Sequence, residues 1–417
     1  MDLRRYQADE HLRLYMEKGV TIERALELSL PHTFTPEDET IPITKAHGRT
    51  LAVPLASRVD DPRFDNSAMD GWAVRVSDCE QIPTTLKIVG TSQAGGDLPP
   101  SVSMGEACRI MTGAPIPKGA DAIVMVEDSK VEGNSVTING VARPNYIRRR
   151  GENFAKGDEI LPSGAVLSPS RIALAGTMGY GEVSVLVPPK IAIIGTGDEL
   201  VEPSQPLGDG QIYESNTIAL AGLVRILGCE PVVFPLVTDS IIQLRESLQS
   251  AAKNCVAIIT SGGVSMGEWD LVRKIMEDEG EVIFWRMQIR PGGPPIFGNW
   301  QGVPLFGLPG NPVSSQVVFF TLVAPWIENS CSHDERFGPK LFEKVRVRLL
   351  SPVQGAPNKV AMRRIHITTE GDELVATTPT HQGSGNLLSM VAGNGLTLLP
   401  PDVDAEIGES IDALWLK

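Results

Sequence analysis

The chain has 417 residues, 42% of them hydrophobic and 21% charged, an ordinary globular composition with length for several separate cores. Acidic residues outnumber basic ones 51 to 37, giving a net charge of −14, which argues against a general nucleic-acid or membrane-surface binder because either needs a basic face. The five cysteines form no CxxC pair, and the sequence shows no signal-like leader and no apolar run of membrane-spanning length, so a reduced, cytoplasmic protein is expected.

Residues 1–20 are polar and read as a loosely ordered leader or part of a helix. Thr21–Leu30 places Ile22, Ala25, Leu26 and Leu30 at helical spacing and is stopped by Pro31. Between about 60 and 150, short apolar runs such as WAVRV, LKIVG and AIVMV alternate with Gly and Pro, which predicts a small β-rich domain. From Lys190 the rhythm changes. IAIIG, PVVFPLV, CVAII, VIFWRMQIR and VPLFG read as strands, and the segments beginning at Asn216, Ser240, Trp269 and Pro312 read as helices. That alternation predicts βαβ units and a parallel sheet with helices on both faces. Residues from about 336 return to short strands and form a small C-terminal β domain. The fold class is therefore α/β multidomain.

In an open parallel sheet, ligands bind beyond the carboxyl ends of the strands. The segment Thr260–Asp270, TSGGVSMGEWD, follows an apolar strand and opens a helix. Gly262 and Gly263 permit a tight turn, and free N–H groups at the helix start can take an anion, with two hydroxyls and an acid nearby. A plain strand-to-helix turn is the competing reading. In Gly307–Ser315, GLPGNPVSS, Asn311 and Pro312 fit an N-cap and first helical position. Gly307, Pro309 and Gly310 suggest a rigid loop kept clear of side chains for a ligand.

Asp198 and Glu199, Asp239 and Asp270 each stand at a strand end. Gathered at one sheet edge beside a phosphate loop, these carboxylates would suit Mg²⁺, a hard cation shared with phosphate oxygens. Singly, Asp239 also reads as an N-cap and Asp270 as a helix-dipole partner. Arg286 and Arg290 stand four apart on one apparent strand, hence on one face, where two guanidiniums suit a tetrahedral oxyanion; a solvated edge strand is the alternative.

Together these motifs resemble the molybdopterin molybdotransferases, the MoeA and gephyrin E-domain family. The resemblance rests on FDNSAMDGWAV (64–74), RIMTGAPIPKGADAIVMVE (109–127), IRRRGEN (147–153), GTGDEL (195–200), GDGQIYESN (208–216), TSGGVSMGEWD (260–270), GLPGNPVSS (307–315) and HQGS (381–384), in family order. It implies an elongated N-terminal domain from 1–59 with 151–188 and an inserted β-rich domain from 60–150. An α/β domain of the molybdopterin-binding type from 189–332 and a C-terminal β domain from 333–417 follow.

The implied reaction inserts molybdate into adenylated molybdopterin, with Mg²⁺-dependent release of AMP, and completes the molybdenum cofactor. Asp70, Thr112, Glu199, Asp239 and Asp270 are the implied catalytic residues, the last three holding metal. Thr260, Ser261, Gly262, Gly263, Ser265, Gly310, Asn311, Pro312 and Ser314 would bind the adenylated pterin. Arg286, Arg290, Arg363 and Ser384 would bind molybdate. The family implies a homodimer whose cleft is completed by Asp70 and Thr112 from the second copy. It also implies contact with a molybdopterin adenylyltransferase and with apo-molybdoenzymes. Arg286 and Arg290 replace family lysines, and Gly293 stands where a third lysine is common, so one positive charge is lost. A tungstate-selective enzyme and a non-catalytic scaffold are the alternatives.

Overall fold

A computed structural model describes residues 16–264, 270–378 and 381–417, and its largest element is a seven-stranded sheet. The strand order is Glu17–Val20, Glu281–Met287, Ile296–Trp300, Val303–Leu308, Ala257–Ser261, Lys190–Gly195 and Glu230–Val233. Alternation along the central strands decides the packing. Ile191 and Ile193 enter the core on one face, with the helices Asn216–Ile226 and Pro312–Val318. Ala192 and Ile194 enter the core on the other, with Ile241–Asn254 and Leu271–Glu279. Strands buried on both faces must be apolar at every position, and Ile191–Ile194 are fully buried.

The sheet is mixed rather than parallel. Four neighbouring strands run parallel, from Val303–Leu308 to Glu230–Val233, but Ile296–Trp300 lies antiparallel between Glu281–Met287 and Val303–Leu308. It is a strand that the apolar pattern did not separate from its neighbour. The two join through Gln301 and Gly302, at φ 50° and 83°, the two-residue turn that matches strand twist. Residues 17–20 are not a leader. They form the edge strand, and Thr21 caps the helix Ile22–Ser29 by accepting from the Arg24 N–H at 3.2 Å.

The long apolar helix from Pro312 is continuous but widens into a π turn at Phe319–Val323 before Ala324–Ser330. Pro325 lacks an N–H, and Thr321 spends its hydroxyl on Val317 O at 2.9 Å, both of which loosen the regular ladder. The inserted region forms a six-stranded sheet, and the C-terminal region closes a barrel from Phe342–Leu349, Glu373–Thr377, Arg364–Glu370, Gly395–Thr397 and Ser410–Leu416. Asp38–Pro42 pairs with Glu182–Leu186, and Leu55–Ala56 with Glu159–Leu161. These pairings join early residues to those that follow the inserted sheet. Among the described residues no helix is long and apolar enough to cross a membrane.

Candidate active site

At the carboxyl ends of the parallel strands lies a cleft of about 580 Å³, lined by both glycine-rich loops and by Glu199, Glu214, Asn216, Asp239 and Asp270. Gly262 and Gly263 turn through φ 98° and 66°, and a Cβ on Gly262 would fall 2.7 Å from Thr196 O. Backbone alone fits there. A Cβ on Gly310 would lie 3.6 Å from Gly262 Cα, so the two loops meet backbone to backbone. Asn216 fastens them: its Nδ2 donates to Ser261 Oγ at 2.8 Å and to Gly310 O at 2.7 Å. Glu214, 4% exposed, fixes the start of that helix by accepting from the Thr217 N–H at 2.6 Å and hydroxyl at 2.7 Å. Neither Glu214 nor Asn216 was singled out in the sequence, although both lie within GDGQIYESN.

Ser261, Gly262, Gly263, Gly310, Asn311 and Pro312 line the cleft. Thr260 and Ser314 do not: Thr260 is fully buried in its strand with an unpartnered hydroxyl, and Ser314 is buried in its helix. A residue pointing into a sheet face cannot also reach past the strand end. Ser265 lies outside the described residues. Gly307 is small for packing, since a Cβ there would strike Ile296 and Val264 at 2.4 and 2.7 Å. Asn311 holds the N-cap position, yet its side chain makes no capping bond. It donates instead to Ser384 Oγ at 2.9 Å, joining the sheet domain to the barrel, and the Val313 N–H donates to Ser384 O at 3.2 Å.

The acids converge on the same rim. The Asp239 N–H donates to Asp198 Oδ1 at 2.8 Å. Burial first, then the charges of Asp198 and Glu199, and also Asp270, push the Asp239 carboxyl up. Ser240, not Asp239, caps the following helix, and the Asp270 side chain makes no capping bond to its own. Among the described residues no three His, Cys, Asp or Glu side chains form a ready-made metal cage. Magnesium rarely needs one: one or two carboxylates plus substrate phosphates suffice, and hard oxygen donors of this kind fit it.

Arg286 and Arg290 do not share a strand face. Arg286 sits at φ 72°, which breaks the alternation, and Arg290 belongs to a separate strand, Ile289–Arg290, paired with Val360–Ala361 of the barrel domain. The Arg286 guanidinium stacks 4.5 Å from the Trp285 ring, with its Nε buried and unpartnered. Trp285 is itself tied to the glycine loop, donating to Val264 O at 3.3 Å.

Arg290 is exposed and lies near enough to Arg363 to lower the latter's pKa, after burial. Arg363 donates to Gln354 O and Gly355 O at 2.9 and 2.8 Å, away from the Ser384 loop. Its neighbour Arg364 faces that loop. It is 1% exposed, donates to Gly383 O at 3.0 Å and to Ser389 Oγ at 2.9 Å, and keeps Nη1 buried and unpartnered. Burial, with Arg363 second, brings its pKa down to about 10. A Cβ on Gly293 would lie 3.6 Å from Lys359 Nζ, so an amine from the barrel domain occupies the space beside this glycine. Neither Lys359 nor Arg290 forms an ion pair among the described residues.

Asp70 and Thr112 meet in the inserted sheet domain, outside this cleft. Asp70 Oδ1 accepts from the Thr112 N–H at 2.7 Å and hydroxyl at 3.1 Å, which holds its carboxyl below the usual carboxylate range.

Family models match three stretches: the MoeA N-terminal region (domain I and II) at residues 20–179, a probable molybdopterin binding domain at 192–329, and the MoeA C-terminal region (domain IV) at 346–416. A molybdopterin molybdenumtransferase of Haemophilus influenzae is 36% identical over 88% of this chain and 90% of its own. Molybdopterin molybdenumtransferase 2 of Mycobacterium tuberculosis is 35% identical over 87% and 91%. The crystal structure of a molybdopterin biosynthesis MoeA protein from Pyrococcus horikoshii superposes with a TM-score of 0.80 at 31% identity, covering 96% of this chain and 99% of that one. With matches along nearly its whole length and a cleft where the matched motifs meet, the chain belongs to the molybdopterin molybdenumtransferase family, the MoeA proteins.

Proposed function

We propose that this enzyme inserts molybdate into adenylated molybdopterin and releases AMP in an Mg²⁺-dependent reaction, working as a homodimer in the cytoplasm. The observation that carries the reading is the pair of glycine loops fastened by Asn216 beneath a rim of carboxylates. Backbone amides of Ser261–Gly263 and the loop at Gly310–Pro312 would cradle the phosphoanhydride. Glu199, Asp239 and Asp270 would hold Mg²⁺, which when bound supplies positive charge to the phosphate oxygens. Asp239 suits this role because it is partly buried beside the Asp198 and Glu199 carboxylates, an arrangement that a cation would relieve. Arg286, Arg290 and Lys359 would hold and orient molybdate beside Ser384, with Arg363 near Arg290 and the buried Arg364 shaping the Ser384 loop.

Asp70 and Thr112, remote from the cleft of their own chain, would complete the cleft of a second copy. Contacts with a molybdopterin adenylyltransferase and with apo-molybdoenzymes belong to the same proposal. The relatives are named as molybdenumtransferases, which favours neither a tungstate enzyme nor a scaffold.

Reconstitution tests the product. Protein, adenylated molybdopterin, Mg²⁺ and molybdate, added to an apo-molybdoenzyme, should restore its activity, and omitting molybdate should not. Equal recovery with and without molybdate contradicts the proposal. Mixing Asp70→Ala protein with Asp270→Asn protein tests the shared cleft: subunit exchange should restore part of the lost activity, and no recovery in exchanged dimers contradicts it.

A further inference from the structure

Two cysteines far apart in the sequence come together away from the cleft. Cys229 follows the helix Asn216–Ile226, its N–H donating to Val224 O at 3.2 Å, and Cys331 follows Ala324–Ser330, its N–H donating to Ile327 O at 2.9 Å. Both are 4% exposed. Their side chains lie close enough to perturb each other, and a contact of 3.9 Å runs from Cys229 Sγ to Leu227 O.

Both line one cavity of about 360 Å³, with Arg49, Thr50, Arg225 and His333 among its walls. Ser332 at φ 49° reverses the chain, and the His333 N–H then donates to Glu328 O at 2.9 Å. This turn brings the imidazole beside Cys331, on the wall of the same cavity. The other three cysteines are buried apart, with burial raising each thiol's pKa.

We propose that Cys229 and Cys331 form a reversible disulfide site, oxidised by a peroxide that enters through this cavity. The neighbouring Cys229 thiol and His333 imidazole favour the Cys331 thiolate, and the same pairing disfavours ionisation of Cys229, so the nucleophile is Cys331. The Cys331 thiolate attacks one peroxide oxygen and the O–O bond breaks. The leaving hydroxide takes a proton and departs as water, leaving Cys331 a sulfenic acid. Cys229 sulfur then attacks the sulfenic sulfur. The S–S bond forms, the S–O bond breaks, and a second water leaves with the Cys229 proton. Two thiols lose two electrons in total and one peroxide becomes two waters. Because the two thiols are neighbours on one cavity wall, the approach to disulfide geometry is a local one.

The position gives the bond a consequence. The helices that end at Cys229 and Cys331 are those that begin at Asn216 and Pro312, the residues that join and flank the two glycine loops. Oxidation would clamp the far ends of both.

The test treats the intact protein with one equivalent of hydrogen peroxide, then alkylates and maps the cysteines by mass spectrometry. The expected result is one Cys229–Cys331 linked peptide pair, reversed by dithiothreitol and formed about tenfold or more faster than oxidation of Cys79, Cys108 or Cys255. Cys229→Ser should leave a Cys331 sulfenic acid that dimedone traps. Recovery of both thiols reduced while the others oxidise, or irreversible oxidation of Cys331 without the link in the unaltered protein, would overturn the proposal.

Discussion

The proposed phosphate end of the cleft is built from backbone. Gly262, Gly263 and Gly310 come close because they lack side chains, and one amide, Asn216, holds them together. The proposed oxyanion site would instead draw long cations from two domains. Arg286 comes from the sheet domain, Arg290 from a short strand paired to the barrel domain, and Lys359 from the barrel domain itself. A backbone cradle tolerates little change, since each glycine answers to a fixed geometry. A cluster of charges can shift its members as long as positive potential stays at one point. That difference explains how the chain can lack a lysine at Gly293 and still have an amine there.

The largest expected effect is at the rim. Asp270→Asn should abolish AMP release while leaving the protein folded by circular dichroism, because Asp270 lines the cleft rim. Loss of the fold instead would return Asp270 to a helix-dipole role. Next is the fastening of the cradle. Asn216→Ala removes two hydrogen bonds at a part-buried site, a loss of about 1–3 kcal/mol, and should weaken adenylated pterin binding by roughly tenfold or more by calorimetry. An unchanged affinity would mean the loops need no fastening.

The cation corner should respond more mildly and be repairable. Lys359→Ala and Arg290→Ala should each raise the molybdate KM by about tenfold, with little change in pterin affinity. Gly293→Lys should restore the first variant, since a Cβ there meets only ordinary contacts, the nearest at 3.6 Å. If the second lysine cannot rescue, the space beside Gly293 is not part of the oxyanion site. The smallest effect concerns Asp239. Its raised pKa makes the folded state bind its proton more tightly than the unfolded state does. Its contribution to stability is therefore fully present below the ordinary carboxylate range and lost as pH rises through the folded pKa. Asp239→Asn should raise the melting temperature slightly at neutral pH and not in acid.

The same contrast decided what could be read from sequence. The glycine loops were legible because local spacing carries their geometry: TSGGVSMGEWD follows a strand of unbroken apolar residues. Thr260 was misplaced within that segment because strand alternation, not polarity, turns its hydroxyl into the sheet. Asn311 looked sufficient as an N-cap because its partner, Ser384, lies 73 residues away. The Arg286–Arg290 spacing misled because a positive φ at Arg286 ends the period of two. Arg363 and Arg364 are adjacent on opposite faces, so no motif could choose between them without the register of their strand. Lys359 was invisible for the same reason: its neighbour Gly293 is reached only through the pairing of Ile289–Arg290 with Val360–Ala361.

The most direct test of the account is molybdate-dependent AMP release in a single turnover. Purified protein with bound adenylated molybdopterin and Mg²⁺ should hold its AMP until molybdate is added, then release one AMP per occupied site. AMP release at the same rate without molybdate, or none with it, would contradict the assignment of the cleft.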